Sequence, residues 1–287
     1  MELSQLRMFK TIADLGSIAR AAEELHCVPS NITTRIRKLE EELGQDLFVR
    51  QGRGLRLSQN GQVFLEHVNK ILIQCDAAKQ SMQQDIRPTG LFKVGAIESS
   101  AMSRLPSLLA AFHQEYPDVQ IQFQTDRWPV LQQEVLNFRL DAAVIAAKPT
   151  HPNIGFAALY QEPLILIAPA THPVIQSPQD LAGLGFFMWP AGCPYRQILE
   201  AWTQSLDIPI HITDMASNGA ILGCVSAGAG LAMVPKSIFD RFIQKSEIQH
   251  YQFDALTPVT NYFIWNKNVT KHPAKEAFLS LANHLDL

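Results

Sequence analysis

The chain has 287 residues, more than the roughly 100 to 200 of a single domain, so a small module joined to a larger one is the first expectation. Its hydrophobic fraction of 47% supports real cores, and its formal charge of −3, with 12 cations against 11 anions in residues 1–90 and 12 against 16 afterwards, excludes any case for nucleic-acid binding from bulk charge. Four cysteines far apart (Cys27, Cys75, Cys193, Cys224) with no CxxC pair argue against disulfides and a structural metal, and no run of 18 apolar residues occurs, so the chain reads as soluble and cytoplasmic.

Leu6, Phe9, Ile12 and Ala13 stand at helical spacing in residues 3–13. After Gly16, Ser17 is a good N-cap for a second helix carrying Ile18, Ala21, Ala22 and Leu25. A turn at His26, Cys27 and Val28 leads to Pro29, which fits the first position of a third helix because its missing N–H would have no partner there. In that helix Ile32, Ile36, Leu39 and Leu43 face inward, which turns Ser30, Thr33, Thr34 and Arg37 outward. A small polar front of this kind allows close approach to base edges, while Arg35, Arg37 and Lys38 can reach phosphates and the acidic run Glu40 to Glu42 lies at the far end. The run "LFVRQGRGLRLS" then reads as a β-hairpin wing with Arg53 at its tip and Arg50 and Arg56 beside it, suited to phosphates or a minor groove.

From Ser58 a long helix is expected to about Asp85, ended by Pro88 and Gly90. Phe64, Val68, Ile71, Cys75, Ala78 and Met82 form a heptad seam, which is expected to pair with a second copy; packing on the protein's own body is the alternative. Beyond Leu91, strand-like runs ("LFKVGAI", "VQIQFQT", "DAAVIAA", "PLILIAP", "LGFFMWP", "IHITDM", "GLAMVP", "TNYFIW") alternate with amphipathic helices, the pattern of α/β architecture with largely parallel sheets. Helices starting near Ser103, Trp128, Pro194 and Ser217 would gather their N-termini at strand carboxyl ends, where open α/β sheets bind ligands.

The segment "GSIARAAEELHCVPSNITTRIRKLEEELGQDLFVRQGRGLRLSQNGQVFL" resembles the winged helix-turn-helix of the LysR-type transcriptional regulators, densely and in order over about the first 65 residues. The weaker matches "RLPSLLAAFHQEYPDVQIQF", "LDAAVIA", "LIAPATHP" and "ILGCVSAGAGLAMVP" follow in that family's order. The resemblance implies a winged helix-turn-helix over 1–58, a linker and dimerisation helix over 59–88, and an effector-binding regulatory domain over 89–287, similar to periplasmic solute-binding proteins. Within the last, one subdomain is expected at about 89–161 and 263–287 and the other at about 162–262. It further implies double-stranded DNA and a small-molecule effector as partners, a homodimer or homotetramer, and RNA polymerase as another partner to consider, with no membrane, cofactor or metal. Pro29 departs from the glutamine that many members carry there, which shifts base reading toward Ser30, Thr33, Thr34 and DNA shape.

Carried over position by position, the effector would be lined by Ser99 and Ser100, Thr125, Ala146 and Ala147 on one subdomain, and by Cys193, Ser217 and Asn218 on the other; Ser99, Ser217 and Asn218 could equally be helix caps. Arg127 and Trp128 replace the small residues usual in that loop. Helix N-termini near Ser99, Cys193 and Ser217 aimed at one cleft lead to the expectation of an anionic effector. Three other functions compete with this one. Nucleophilic catalysis near Arg196 lacks any HExxH, GxSxG, Walker or dinucleotide signature, so no enzyme is expected. A solute carrier is opposed by the fused winged helix. A thiol redox sensor using Cys193 is physically reasonable but finds no second cysteine before Cys224.

Overall fold

The computed structural model describes residues 1–51, 54–81, 87–269 and 272–285. They divide into two compact units, one built from residues 1–86 with 137–139 and 268–272, the other from the remainder.

In the first unit α1 (Leu3–Leu15) stops at Gly16, whose left-handed φ of 65° suits glycine, and Ser17 caps α2 (Ile18–Glu24) by accepting the Arg20 amide. His26, at φ 50°, turns the chain into α3 (Pro29–Leu43), which opens on the proline as expected. The hairpin β1 (Phe48–Gln51) and β2 (Gly54–Leu57) follows, antiparallel, with Arg50 opposite Leu55. The long helix α4 (Gln59–Ser81) completes the unit. Leu6, Phe9, Ile12, Ile32, Ile36 and Leu39 form the core, with the Phe9 ring 5.2 Å from Phe48 and 5.1 Å from Phe64.

The seam of α4 divides along its length. Val68 is fully buried and Phe64 packs on Phe9, so this front part covers the core of its own unit and Val68 is inaccessible to a partner. The helix needs a cover for its apolar stripe, and α1 supplies it here. Ile71 and Cys75 are half-buried, Ala78 is exposed, and Met82 lies outside the described residues.

The second unit has two lobes. One contains β3 (Gly90–Ala96), α5 (Glu98–Ser103), α6 (Leu105–Glu115), β4 (Val119–Thr125), α7 (Trp128–Leu136), β5 (Ala142–Ile145) and β6 (Ile154–Glu162). After Pro163 the chain enters the other lobe with β7 (Leu164–Pro169), β8 (Gly185–Met188), α8 (Pro194–Ser205), β9 (His211–Asp214), α9 (Asn218–Ser226), β10 (Ala232–Pro235), α10 (Lys236–Arg241) and β11 (Ile248–Tyr251). It returns through β12 (Val259–Asn266) and ends on α11 (Pro273–His284).

The larger sheet runs β4-β3-β5-β12-β6; the smaller sheets run β10-β7-β11 and β8-β9. Across these sheets the pairing is mixed rather than largely parallel, with β8 and β9 parallel and the sheet around β7 antiparallel. β3 lies parallel to β4 and β5, but the returning β12 runs antiparallel to β5 and β6, and both neighbours of β7 are antiparallel to it. Parallel pairing survives where a helix carries the chain back over the sheet, as α6 does between β3 and β4. Separate cores lie on the two faces of the larger sheet, around Phe92, Phe112 and Phe278 and around Leu131, Val135 and Ile264.

Candidate functional site

On α3 the inward stripe of Ile32, Ile36 and Leu39 is buried, and Pro29, Ser30, Thr33, Thr34, Arg37 and Lys38 are exposed on the other side. The two threonine hydroxyls donate to carbonyls one turn back, Thr33 to Pro29 and Thr34 to Ser30, both at 2.9 Å. Their hydrogens are committed, so each presents only a methyl group and acceptor lone pairs outward, which suits a thymine methyl or a base amino donor. Ser30 makes no side-chain hydrogen bond among the described residues. Thr33 and Arg37 share a shallow concavity with Arg50 and Leu55 of the hairpin, so helix and wing form one surface.

Arg35 differs from its neighbours. Its guanidinium donates to Glu2 at 2.8 Å, to Ser4 at 3.0 Å and to Asn31 at 3.2 Å, so it locks α3 to the start of α1 instead of standing free for a phosphate. The hydrogen bond from Arg35 holds the Glu2 carboxyl below its ordinary value. The acidic run also works internally. Glu40 accepts the Leu47 amide at 2.8 Å, Glu41 meets Arg37 at 3.5 Å, and Glu42 holds the N-terminal ammonium at 2.6 Å. Arg53 lies outside the described residues, while Arg50 and Arg56 are exposed.

In the second unit a cavity with a free volume of about 90 Å³ lies between the lobes, enough for several waters or one small ligand. Of the expected lining residues, Ser99, Ala146, Cys193 and Asn218 are on its wall. Ala147 lines an adjoining, wider groove. Ser100 is buried, and its hydroxyl meets that of Tyr160 at 2.6 Å, away from the cavity. Thr125 is exposed and off the wall, since β4 carries the chain one residue further before Asp126, Arg127 and Trp128 turn in. Ser217 caps α9 by accepting the Ala220 amide at 3.4 Å.

Sequence reasoning missed Glu98, Asp126, Trp189 and Tyr195 on this wall. Glu98 matters most. Its Oε2 accepts both the backbone amide of Asn218, at 3.0 Å, and the Asn218 side-chain amide, at 2.9 Å; its Oε1 accepts the Ser217 hydroxyl at 3.5 Å. A carboxylate from one lobe therefore already occupies the N-terminus of α9 on the other, the position expected to attract an anionic effector. A second tie joins the lobes where the Trp128 indole donates to the Gly192 carbonyl at 3.0 Å. Trp189 donates to Asn218 Oδ1 at 3.1 Å, and Tyr195 joins Ser99 at 3.3 Å and Asn261 at 3.4 Å. Burial pushes the Tyr195 hydroxyl well above its ordinary value, so it stays neutral.

Cys193 precedes α8 as its N-cap. Burial raises its thiol, and the nearby amides of Arg196 and Tyr195 offset this only in part, so the protonated, poorly nucleophilic form is favoured. That chemistry runs against the redox reading. All four cysteines are free thiols.

Comparison with known proteins adds the following. Residues 3–62 match the model of the bacterial regulatory helix-turn-helix proteins of the lysR family, and residues 86–285 match the LysR substrate binding domain. The HTH-type transcriptional regulator GltR of Bacillus subtilis is 34% identical over 282 residues, covering 98% of this chain and 95% of GltR. YusT of the same organism, an uncharacterized HTH-type transcriptional regulator, is 32% identical over 97% of this chain and 94% of its own. Full-length OxyR from Pseudomonas aeruginosa superposes with a TM-score of 0.81 at 23% identity, covering 98% of this chain and 97% of OxyR. Full-length CbnR in complex with its target DNA gives 0.69 at 23% identity, covering 99% of both chains. At such identities the two structures establish the fold alone.

Proposed function

The chain belongs to the LysR family of DNA-binding transcriptional regulators, and on that premise we propose that it reads its operator with the outward face of α3 and takes its effector in the cleft between the lobes of the second unit. Ser30, Thr33 and Thr34 meet base edges; Arg37, Lys38, Arg50 and Arg56 meet phosphates. Arg35 supports the helix from behind by holding Glu2. A second copy docks along the rear part of α4, through Ile71, Cys75 and Ala78, so that two α3 helices address two half-sites.

One observation carries the ligand part of this reading. The cavity is enclosed by residues of both lobes, and two direct ties, Glu98 to Asn218 and Trp128 to Gly192, cross it. A ligand entering there competes with those ties and so changes the angle between the lobes. The test is a footprint on the DNA upstream of the protein's own gene, with an Ala146→Trp variant that fills the cavity. The variant is expected to protect the same DNA as the wild type and to have lost the response to the metabolite that induces the wild-type promoter. A variant that still responds at the wild-type concentration puts the effector elsewhere.

A further inference from the structure

We infer that the ligand of the cleft presents a cationic nitrogen, such as a protonated amine, to Glu98 and Asp126 between the rings of Trp128, Trp189 and Tyr195. The inference rests on the cleft being the ligand site and assigns its chemistry. Three observations carry it.

Most of the donors that would hold an anion are already used. Glu98 fills the N-terminus of α9. α8 opens on Pro194, which has no N–H, so its start offers one donor fewer than an ordinary helix. Both indole N–H groups are spent on Gly192 and Asn218. Arg196, the cation near the start of α8, is tied to Glu200 at 2.7 Å and Asp214 at 2.6 Å.

The charge on the wall is net negative. Neither Glu98 nor Asp126 forms an ion pair among the described residues, and Asp126 Oδ1 accepts only the Arg127 amide, at 2.7 Å. Arg127 is the single cation on the wall among the described residues, and it is exposed at the edge.

What the indoles still offer is their faces. With their N–H groups bonded to Gly192 and Asn218, Trp128 and Trp189 line the same small cavity as the two carboxylates, and Tyr195 adds a third ring. Aromatic faces beside a carboxylate favour an ammonium group, and desolvation strengthens the attraction. A carboxylate ligand would face two like charges, with Arg127 as the one opposing charge on the wall among the described residues.

Ethylammonium chloride and sodium propionate, similar in size and opposite in charge, are the probes. Tryptophan emission of the full-length protein is expected to respond saturably to ethylammonium and not to propionate at equal ionic strength. Glu98→Gln keeps an acceptor for Asn218 but removes the charge, and is expected to weaken ethylammonium binding about tenfold or more; Trp128→Leu is expected to weaken it as well. If Glu98→Gln does not fold, Glu98→Asp serves instead, and is expected to keep the preference for the cation. Saturable propionate binding that Trp128→Leu weakens would overturn the charge assignment and leave the cleft as the ligand site. No saturable response to either probe, or binding that neither substitution affects, would overturn both the charge assignment and the cleft.

Discussion

Replacing Glu98 by alanine removes the acceptor of two Asn218 donors and of the Ser217 hydroxyl. Asn218 is 2% exposed, so water cannot readily replace the lost acceptor. Hydrogen bonds to a charged group contribute about 1.5–3 kcal/mol each, and loss of the negative charge at a helix N-terminus adds about 0.3–1 kcal/mol. Glu98 is only half-buried and the site can relax, so a net loss of about 2 kcal/mol is expected. In a unit of this size, about 1 kcal/mol shifts the midpoint by roughly 2–4 °C, so thermal unfolding should fall by about 4–8 °C. Trp128, Trp189, Trp202 and Trp265 are the only tryptophans in the chain, and all lie in the second unit, so tryptophan emission follows this unit without interference from the first. Added sodium acetate should restore part of the loss, because a free carboxylate can enter the gap left at the start of α9. A Glu98→Ala protein that melts within 1 °C of the wild type, or is indifferent to acetate, would refute this account of the tie.

Gly61→Ala should destabilise the first unit by about 3 kcal/mol or more, since a Cβ there would collide with the backbone carbonyl of Leu47, which cannot turn aside; chemical denaturation followed by far-UV dichroism checks this. Cys75→Glu should dissociate the dimer in sedimentation velocity at micromolar concentration while leaving the core of the first unit intact, whereas a variant that stays dimeric would move the interface off α4. The Glu2–Arg35 pair gives a pH signature. The folded Glu2 carboxyl lies below its ordinary 4.5, so its contribution to stability is complete above that value and disappears as pH falls through the lowered one; the difference in melting temperature between wild type and Glu2→Gln should therefore close in acid.

The first unit was almost wholly legible because its signals are local: Gly16, Ser17 and Pro29 mark helix boundaries, and the Ile32, Ile36 and Leu39 spacing defines which face is free. What the pattern could not distinguish was which body covers a stripe. Phe64 and Val68 sit on the same heptad seam as Cys75, yet they meet their own unit first. In the sequence Arg35 reads as able to reach a phosphate, because its partner Glu2 is 33 residues away. In the second unit the strands rich in Val and Ile were visible, but β6, diluted by Gly155, Ala157 and Ala158, and the short, polar β11 were not. The rule that ligands gather at strand carboxyl ends points to the cavity between the lobes, and Ser99, Ala146, Cys193 and Asn218 line it. Read from the sequence, its wall favours small hydroxyl residues and leaves out Glu98, directly beside Ser99. A carboxylate at that switch point is the signal that a sequence could have offered.

The central claim is that the outward face of α3 contacts DNA, and it is tested most directly by the salt dependence of affinity for the DNA upstream of the protein's own gene, in wild type, Arg37→Ala and Arg35→Ala. Arg37 is exposed and its one ion pair among the described residues, with Glu41, is a surface one, so its loss should lower affinity and reduce the slope of log affinity against log salt by about 1 for each phosphate contact removed in each protomer. Arg35→Ala should keep the wild-type slope, because that guanidinium is held by Glu2. A wild-type affinity and slope in Arg37→Ala, or an equal loss of slope in both variants, would contradict the assignment of this face.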